Sequence, residues 1–590
     1  MNKKIVALLG SCIITSVFAA TVLSPNSNNQ SGNIPSGHTE LEFQLSNGNW
    51  VQNLYLPKTA NYNDIIRISS TAIYPAYLDT TNTNLPIESL KLNNGSNYTF
   101  AYSVAEQKWL IKTDVVMPTN EQADFVVPTS KQIVQQVVVQ DGAWAKQISL
   151  PNQANDGSLL QIISTAGYNS TINTKNLLFP SSYTLKKGDD FWFKYNAELQ
   201  KWVPEVIKPY ILDAGVIGKN INNINAPVTQ INFGDGNWVD SIQLPVNAKD
   251  RDRVIFKSTA TWAAVISNTN TNSQATLKLK NGDRYEFMYV ADKSRWILVS
   301  APELILQAND LTNKQIPNME QPTTRIQSGN ANWQPSLNLP ISAKIGDKVI
   351  LSSTADWNTT ITAASGLSQT LKKDETQRYV YSAQGWISDS STIDILLVSS
   401  TEASAKLGAT AAKLRIYEGV NLTNSAAENS QAQFYIRPVG FLNYTVPTPN
   451  HALGDITNLG RDDKVIQNER NRLLADAVYY EGTEEGCGLA WLNTTPLSYN
   501  MIGTGSLNCG TTVMRHEFGH NLGLSHGDTT ALARGFTHPL GSTIMGGNAI
   551  AYYANPNSYH PKYGVRLGEE GKIDTLGMIN KNAPIVAKFK

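Results

Sequence analysis

The sequence predicts a multidomain protein in which four tandem antiparallel, immunoglobulin-like β-sandwiches precede an α/β domain with a metal site. Three observations lead to this prediction. At 590 residues the chain is too long for one hydrophobic core. Three of its seven histidines fall between His516 and His526, at a spacing that suits one metal ion. Tryptophans recur at intervals of 94, 94 and 95 residues, at Trp50, Trp144, Trp238 and Trp333.

The first twenty residues have the features of an export signal. Asn2 to Lys4 is a basic start, Ile5 to Phe18 is apolar, and Val17 to Ala19 is a small-residue cleavage pattern. We therefore predict a signal peptide at residues 1–20. Leu9 to Cys12 loosely resembles a lipoprotein signal, but only about five apolar residues precede it, fewer than the usual ~7–15.

The middle of the chain is a fourfold internal repeat, because several other signals share the period of the tryptophans. Leu-Pro pairs, Ser-Thr-Ala triplets, an aromatic residue two positions after each triplet, and a closing tryptophan each occur four times. The pairs begin at Leu56, Leu150, Leu244 and Leu339, the triplets begin at Ser70, Ser164, Ser258 and Ser353, the aromatics are Tyr74, Tyr168, Trp262 and Trp357, and the closing tryptophans are Trp109, Trp202, Trp296 and Trp386. We place repeat 1 at residues 38–125, repeat 2 at 126–218, repeat 3 at 219–315 and repeat 4 at 316–392.

Each repeat alternates apolar and polar residues with a period of two, as at Tyr285, Phe287 and Tyr289, and this alternation indicates β-strands. Turn signals such as Asn281 to Asp283 separate the strands and give sandwiches of about 90 residues. The repeated tryptophans have two interpretations. They either pack in cores and turns or form exposed platforms for sugar rings, and repetition shows only that every repeat needs them.

From residue 393 to residue 590 the pattern changes to strands that alternate with helices, which predicts an α/β domain, here called the C-terminal domain. A helix at the histidine-rich motif follows the last of these strands. We expect strands at Ile393 to Val398, Gln433 to Leu442, Ala477 to Tyr480 and Leu489 to Leu492, and helices at Ala411 to Glu418 and Asp463 to Leu474.

The histidine-rich motif begins at His516 and reads His-Glu-Phe-Gly-His-Asn-Leu-Gly-Leu-Ser-His. On a helix, His516 and His520 lie on one face, with Glu517 beside them. Gly523 allows a turn that brings His526 back as the third ligand. We predict that the three histidines bind one Zn²⁺ per chain and that Glu517 is the catalytic general base. The alternative is an ordinary amphipathic helix with hydrogen-bonded histidines, which explains neither the glutamate nor the glycine.

Charge and cysteine content limit the partners and the compartment. Lys plus Arg equals Asp plus Glu at 48 each, so net charge predicts no binding to nucleic acid or to an anionic membrane. After signal cleavage only Cys487 and Cys509 remain, 22 residues apart, and in an exported chain we predict a disulfide between them. Two buried thiols or two thiolate metal ligands are the alternatives.

Downstream of the zinc motif, Ser542 to Gly546 contains Met545, and this arrangement resembles the Met-turn of the metzincin metalloproteases. Taken alone, Met545 is more often a core side chain. With its signal and four repeats, the whole chain is similar to the CpaA-like, type II-secreted zinc metalloendopeptidases and to the mucin-cleaving StcE group. The resemblance implies an edge strand that pairs with extended substrate, and we expect Trp491, Tyr552 and Tyr553 at the cleft. Astacins and serralysins have a tyrosine where this chain has Gly547.

The same resemblance implies a wider biology. It implies cleavage of O-glycosylated host proteins outside the cell, a dedicated membrane-anchored chaperone, passage through the periplasm by the type II secretion machinery, and a monomer after release. A hypothesis from another class is a glycan-binding adhesin whose zinc domain is silent or structural. Glu517 discriminates between the two, because a structural zinc site needs no base between its histidines.

Overall fold

The computed structural model describes residues 20–447 and 451–590, so all of the expected signal peptide except Ala20 lies outside the described residues. Within the described part of the chain, no helix is long and apolar enough to cross a membrane. The chain forms two compact units: the first holds repeats 1 and 2, and the second holds repeats 3 and 4 with the C-terminal domain. Their bounds are Met1–Pro209 with Asn225–Pro227, and Tyr210–Ile224 with Val228–Lys590.

Each repeat is a sandwich of a five-stranded sheet and a smaller second sheet. The strands that open the sandwiches begin upstream of the bounds predicted from the sequence: Thr21–Leu23 belongs to repeat 1, Thr113–Val116 and Gln122–Val126 to repeat 2, Tyr210–Asp213 to repeat 3 and Glu303–Gln307 to repeat 4. In spatial order, the five-stranded sheet of repeat 1 consists of Thr21–Leu23, Glu40–Leu45, Ile65–Ser70, Asn97–Ser103 and Lys108–Ile111, and that of repeat 2 consists of Lys201–Val206, Asp190–Asn196, Leu159–Ser164, Val134–Val139 and Thr113–Val116. The sheet of repeat 3 consists of Tyr210–Asp213, Val228–Phe233, Arg253–Ser258, Arg284–Val290 and Arg295–Ser300. The sheet of repeat 4 consists of Glu303–Gln307, Thr323–Ser328, Lys348–Ser353, Glu375–Ser382 and Gly385–Ser388.

The second sheets have three strands, except in repeat 2, where there are four. The second sheet of repeat 1 consists of Asn53–Leu54, Ala76–Asp79 and Ser89–Leu92, and that of repeat 2 consists of Gln122–Val126, Ala145–Ser149, Ser170–Asn173 and Thr184–Leu185. The second sheet of repeat 3 consists of Ser241–Ile242, Ala264–Ile266 and Lys278–Leu279, and that of repeat 4 consists of Ser336–Asn338, Thr359–Thr362 and Ser368–Leu371. The four-sandwich layout predicted from the period is therefore confirmed.

The sheets of the repeats are mixed, and the predicted antiparallel arrangement is wrong. In repeat 3, Val228–Phe233 pairs in parallel with Arg253–Ser258, which pairs antiparallel with Arg284–Val290. The first pair is parallel because the chain crosses to the second sheet at Ser241–Ile242 and then returns in the same direction. Apolar alternation marks a strand but carries no information about the direction of its neighbour.

The closing tryptophan of each repeat is buried, and its indole N–H donates to a backbone carbonyl of the repeated Leu-Pro pair. Burial of this donor is tolerated because the proline carbonyl accepts its hydrogen bond. The four bonds run from Trp109 to Pro57 (2.9 Å) and from Trp202 to Pro151, Trp296 to Pro245 and Trp386 to Pro340 (2.8 Å each). For these tryptophans the structural interpretation is therefore correct.

The turn tryptophan of each repeat has a different environment. Each is half-buried and packs against the exposed aromatic that follows the Ser-Thr-Ala triplet, and these exposed aromatics are 54–71% exposed. The ring centroids are 6.1 Å apart for Trp50 and Tyr74, 5.7 Å for Trp144 and Tyr168, 6.1 Å for Trp238 and Trp262, and 5.6 Å for Trp333 and Trp357. Every repeat thus presents one aromatic pair to solvent, here called its surface pair.

The C-terminal domain has a five-stranded sheet in which four strands are parallel and the edge strand Gly488–Ala490 is antiparallel to its neighbour. In spatial order, the strands are Phe434–Tyr444, Ser391–Ser400, Ala477–Gly482, Ile502–Ser506 and Gly488–Ala490, and a separate two-stranded ribbon pairs Asn555–Tyr559 with Arg566–Leu567. The helices are Thr401–Leu407, Ala409–Ser430, Leu453–Asp462, Lys464–Arg472, Val513–Asn521, Ile544–Gly547 and Leu576–Val586, and repeat 3 adds Ala214–Ile217.

The sheet of the C-terminal domain is covered by helices on both faces, which confirms the predicted α/β architecture. Ile395 and Leu397 belong to the core shared with helices Ala409–Ser430 and Val513–Asn521, whereas Leu396 and Val398 point to the opposite core. Burial on both sides explains the continuous apolar run in this strand.

Both repeats of the second unit are bonded to the C-terminal domain. The guanidinium of Arg253 in repeat 3 donates to the carbonyl oxygens of Pro561 and Lys562, at 2.7 Å each. In repeat 4, Arg325 forms an ion pair with Glu428 at 2.9 Å. These contacts explain why repeats 3 and 4 and the C-terminal domain form one compact unit.

We predict that Trp296→Phe destabilises repeat 3 by about 2–4 kcal/mol, because it leaves the buried carbonyl of Pro245 without a donor and opens a cavity. Hydrogen exchange followed by mass spectrometry should show faster exchange in peptides of repeat 3 and unchanged exchange in repeat 1. Trp262→Phe, at a position that is 58% exposed, is the matched control and should change stability by less than about 0.5 kcal/mol. Equal protection in both variants would contradict the role of the hydrogen bond.

Candidate active site

The helix Val513–Asn521 places two histidines, His516 and His520, on one face. It ends before Gly523, whose φ is 94°, a conformation that L-residues with side chains rarely adopt. A Cβ on Gly523 would also lie 3.0 Å from Asn582 Nδ2, so the turn requires glycine both for its conformation and for space. After this turn the chain returns toward the helix and presents His526.

The three histidines converge on one point. Nε2 of His526 lies 3.1 Å from Nε2 of His516 and 3.0 Å from Nε2 of His520. Two nitrogens bound to one zinc ion at about 2.0–2.1 Å in tetrahedral geometry lie about 3.3 Å apart, so the observed distances fit such an ion. The predicted ligand set is therefore assembled as one candidate metal site.

Backbone carbonyls orient two of the imidazoles. Nδ1 of His516 donates to the carbonyl oxygen of Ile544 at 2.9 Å, and Nδ1 of His520 donates to that of Leu524 at 2.7 Å. With the proton on Nδ1, each Nε2 keeps its lone pair for a metal. Burial lowers the pKa of both imidazoles, that of His520 to about 4, so they stay neutral, the form that binds metal.

Glu517 lies in the same cleft as the three histidines and is 6% exposed. Burial raises the pKa of its carboxyl to about 8 in the absence of a bound cation. A carboxyl at this position is available to exchange a proton with a molecule in the cleft. The arrangement suits general acid–base chemistry.

Met545 lies beneath the histidines in the helix Ile544–Gly547 and is 1% exposed. A Cβ on Gly519 would lie only 2.5 Å from the Met545 sulfur, so this side chain packs directly under the helix that carries His516 and His520. The segment occupies the place expected for a Met-turn. It also supplies the carbonyl of Ile544 that holds His516.

Sequence reasoning missed the pair of Arg515 and Asn548. Nε of the buried Arg515 donates to Asn548 Oδ1 at 2.7 Å, and Nη2 donates to the Asn548 carbonyl at 3.0 Å. The pair ties the helix to the end of the Met545 segment, and Asn548 also lines the cleft. The left-handed φ of Asn548, 57°, is common for asparagine, but one sequence does not show that an arginine binds it.

The predicted disulfide between Cys487 and Cys509 is present, with Cα atoms 5.1 Å apart. It joins the start of the edge strand to the loop before the helix Val513–Asn521. Arg415 supports the same loop, because it donates to the carbonyl of Cys509 and forms an ion pair with Glu481 at 3.2 Å. The disulfide therefore connects the edge strand, which lines the cleft, to the loop that precedes the helix Val513–Asn521.

The cleft has a volume of about 600 Å³. Its large apolar side chains are Leu489 and Leu492, which are 43% and 49% exposed. Sequence reasoning did not select them, because an isolated leucine carries no functional signal. The lining residues are Cys487, Gly488, Leu489, Ala490, Leu492, His516, Glu517, His520, Ser525, His526, Thr529, Gly547 and Asn548.

The three aromatics expected at the cleft are not among its lining residues. Tyr553 is fully buried, and its hydroxyl donates to the Arg515 carbonyl at 2.9 Å, so the structure places it in the core. Trp491 packs against the core on the other face of the sheet, with the Arg461 guanidinium 5.0 Å from its ring. Tyr552 is partly buried. The edge strand ends at Ala490, before Trp491, and side-chain packing places Trp491 and Tyr553 away from the cleft.

Comparisons with known proteins agree with this organisation. The family model described as the β-sandwich domain of the metalloprotease StcE matches residues 38–113, 132–206, 226–300 and 321–390. The model of metallopeptidase family M12 matches residues 389–561. A solved structure described as "Structure of a chaperone-substrate complex" is 52% identical, with a TM-score of 0.81, and the match covers 97% of this chain and 100% of that chain. Comparison with curated proteins finds no match.

We predict that replacing both cysteines, Cys487→Ser with Cys509→Ser, lowers the free energy of unfolding of the C-terminal domain by about 3 kcal/mol, because the cross-link restricts the unfolded chain. Thermal unfolding of the oxidised protein and the double variant measures this difference. Reduced wild-type protein should resemble the variant. Two free thiols in the purified protein, or equal stability of all three forms, would count against the prediction.

Proposed function

Since this chain belongs to the StcE/CpaA-like metalloproteases, we propose that it is a secreted zinc endopeptidase that cleaves O-glycosylated proteins outside the cell. The observation that supports this proposal is the convergence of three imidazole nitrogens, at 3.0–3.1 Å, in a cleft that also contains the Glu517 carboxylate. That set of groups suits hydrolysis of a peptide bond.

The reaction assigns separate tasks to the residues of the cleft. His516, His520 and His526 would hold the zinc ion, and a zinc ion held there supplies a Lewis acid that activates water and polarises a carbonyl. The carboxylate of Glu517 accepts a proton from the attacking water and then donates it to the leaving amine. Because Glu517 is almost completely buried, solvent only weakly screens the electrostatic interaction between its carboxylate and the groups in the cleft.

The edge strand Gly488–Ala490 supports binding of an extended substrate. It pairs on one side with Ile502–Ser506 and lines the cleft on the other. An extended peptide can add to such an edge through backbone hydrogen bonds, which gives affinity with little dependence on side chains. Leu489 and Leu492, both partly exposed, supply apolar contact next to the scissile bond.

In this proposal, the surface pairs of the repeats bind the sugar of the substrate. An exposed aromatic face stacks on the apolar face of a sugar ring, and clustered exposed aromatics commonly mark binding sites. Repeats 3 and 4 are bonded to the protease domain, so Trp262 and Trp357 are tethered to it. A tethered second site raises the effective concentration of a glycosylated substrate at the cleft.

A chaperone and an export route belong to the same proposal. The similar solved structure is described as a chaperone–substrate complex, which supports a dedicated chaperone for this chain as well. The basic and apolar start of the sequence and the disulfide support export from the cytoplasm. Passage through the periplasm by a type II system and release as a monomer rest on the family resemblance alone.

We predict that Glu517→Ala keeps one zinc per chain but loses peptide cleavage by about 10³-fold or more, because the three ligands remain and the base is removed. Metal analysis together with an assay on a mucin-type glycoprotein measures both properties. Glu485→Ala, at an exposed glutamate of the neighbouring loop, is the control and should cleave normally. Cleavage by Glu517→Ala at the normal rate would contradict the role of Glu517 as the general base. A zinc-loaded wild type without any cleavage would instead favour the adhesin.

A further prediction concerns the glycan. Enzymatic removal of O-glycans from one substrate should abolish its cleavage, and the double variant Trp262→Ala with Trp357→Ala should raise KM more than it lowers kcat. Ile341→Ala, at a position of repeat 4 that is 76% exposed and outside the surface pair, serves as the control. Equal cleavage of glycosylated and deglycosylated substrate would leave a general endopeptidase whose repeats act as spacers.

A further inference from the structure

The carboxylate of Glu517 lies directly against the backbone of the edge strand at Gly488. An ideal Cβ on Gly488 would lie 2.5 Å from Glu517 Oε1, 2.9 Å from Glu517 Cδ and 2.5 Å from Val513 Cγ1. Cβ atoms in real proteins do not approach other heavy atoms so closely. The carboxylate therefore occupies the space that any other side chain at position 488 would fill.

The neighbouring strand Ile502–Ser506 also has a glycine, Gly503, next to Glu517. Gly488 pairs directly with Gly505, and Ala490 pairs with Gly503. A Cβ on Gly503 would lie 3.4 Å from Glu517 Cβ, an ordinary but close contact. Of these positions, only Gly488 has a missing Cβ that coincides with the carboxylate itself.

Glu517 is 6% exposed, and no protein group among the described residues forms a hydrogen bond with its side chain. By contrast, His516 and His520 are each held by a backbone carbonyl. The surfaces that limit the position of the carboxylate are therefore its close neighbours, and Gly488 is the nearest of them on the edge strand.

We propose that Gly488 is a positioning residue for Glu517: the absence of a side chain lets the carboxylate lie against the edge strand, beside the strand to which substrate is expected to add. The role rests on the proposed function, in which Glu517 is the general base. A base must come within about 2.6–3.2 Å of the proton that it takes, and a misplacement of about 1 Å costs up to about 100-fold in rate.

The chain should tolerate a small side chain at this position. Gly488 is not among the glycines with positive φ, so alanine can adopt its backbone conformation. The atoms that a Cβ would meet are the ends of the Glu517 and Val513 side chains, not backbone. The Glu517 side chain is the more flexible of the two, so the carboxylate moves and the fold remains.

The test compares Gly488→Ala with wild type in the full-length, zinc-loaded protein. We expect unchanged zinc content, the intact disulfide, kcat lower by about 10–100-fold and KM changed by less than about threefold. A crystal structure of the variant should show the Glu517 carboxylate displaced from the edge strand. Gly510→Ala is the matched control, because it adds the same methyl group just before the same helix, with only Thr512 Oγ1, at 3.7 Å, within 4 Å.

A double-mutant cycle separates contact with the carboxylate from contact with the helix. Glu517→Asp shortens the side chain, so adding Gly488→Ala to it should lower kcat by less than about threefold. Val513→Ala removes the other contact and should not restore the rate of Gly488→Ala. If Val513→Ala restores it, the effect runs through the helix and the proposal fails.

Two other outcomes also decide the matter. Wild-type rates for Gly488→Ala, with wild type active and Glu517→Ala inactive, would overturn the role of Gly488 and leave the proposed function intact. If wild type itself does not cleave, the proposed function fails, and the position of the carboxylate in the crystal structure of Gly488→Ala still decides whether Gly488 sets it. An undisplaced carboxylate would refute the proposal.

Discussion

The convergence of three imidazoles on one point is the constraint that organises the C-terminal domain. His516 and His520 need a regular helix, whereas His526 needs that helix to end, and Gly523 provides the turn between them. The carbonyls of Ile544 and Leu524 then hold two of the rings. The helix, the turn and the Met545 segment must therefore be placed together before the metal site exists.

The sheet of the C-terminal domain fixes the position of the helix Val513–Asn521. Asn521, which is 1% exposed, donates through Nδ2 to the carbonyls of Trp491, Asn500 and Ile502, each at 3.1 Å. One side chain next to His520 thus connects the end of the helix to the last parallel strand and to the segment after the edge strand. The disulfide makes a second connection at the other end of the helix. A cleft with both walls fixed needs little rearrangement to bind a substrate, which favours catalysis.

The repeats use one construction for two purposes. In each, a buried tryptophan bonded to a proline carbonyl holds the sandwich together, and a surface pair is presented to solvent. The exposed ring of each surface pair packs against the turn tryptophan and still offers a face to solvent. In the proposed function that face binds sugar, and the bonds from Arg253 and Arg325 tie repeats 3 and 4 to the C-terminal domain.

The sequence by itself determined the four repeats, the α/β domain, the histidine triad with Glu517 beside it and the disulfide, because each of these depends on spacing or on residue chemistry that is local or periodic. Tertiary structure alone decided strand direction in the repeats, since alternation is the same for parallel and antiparallel neighbours. It also moved Tyr553 from the expected cleft to the core and brought Arg515 to Asn548. Tertiary structure alone also explains the glycine at position 488. A glycine in a strand can have several causes, and only the folded structure shows that the Glu517 carboxylate occupies the space of the missing side chain.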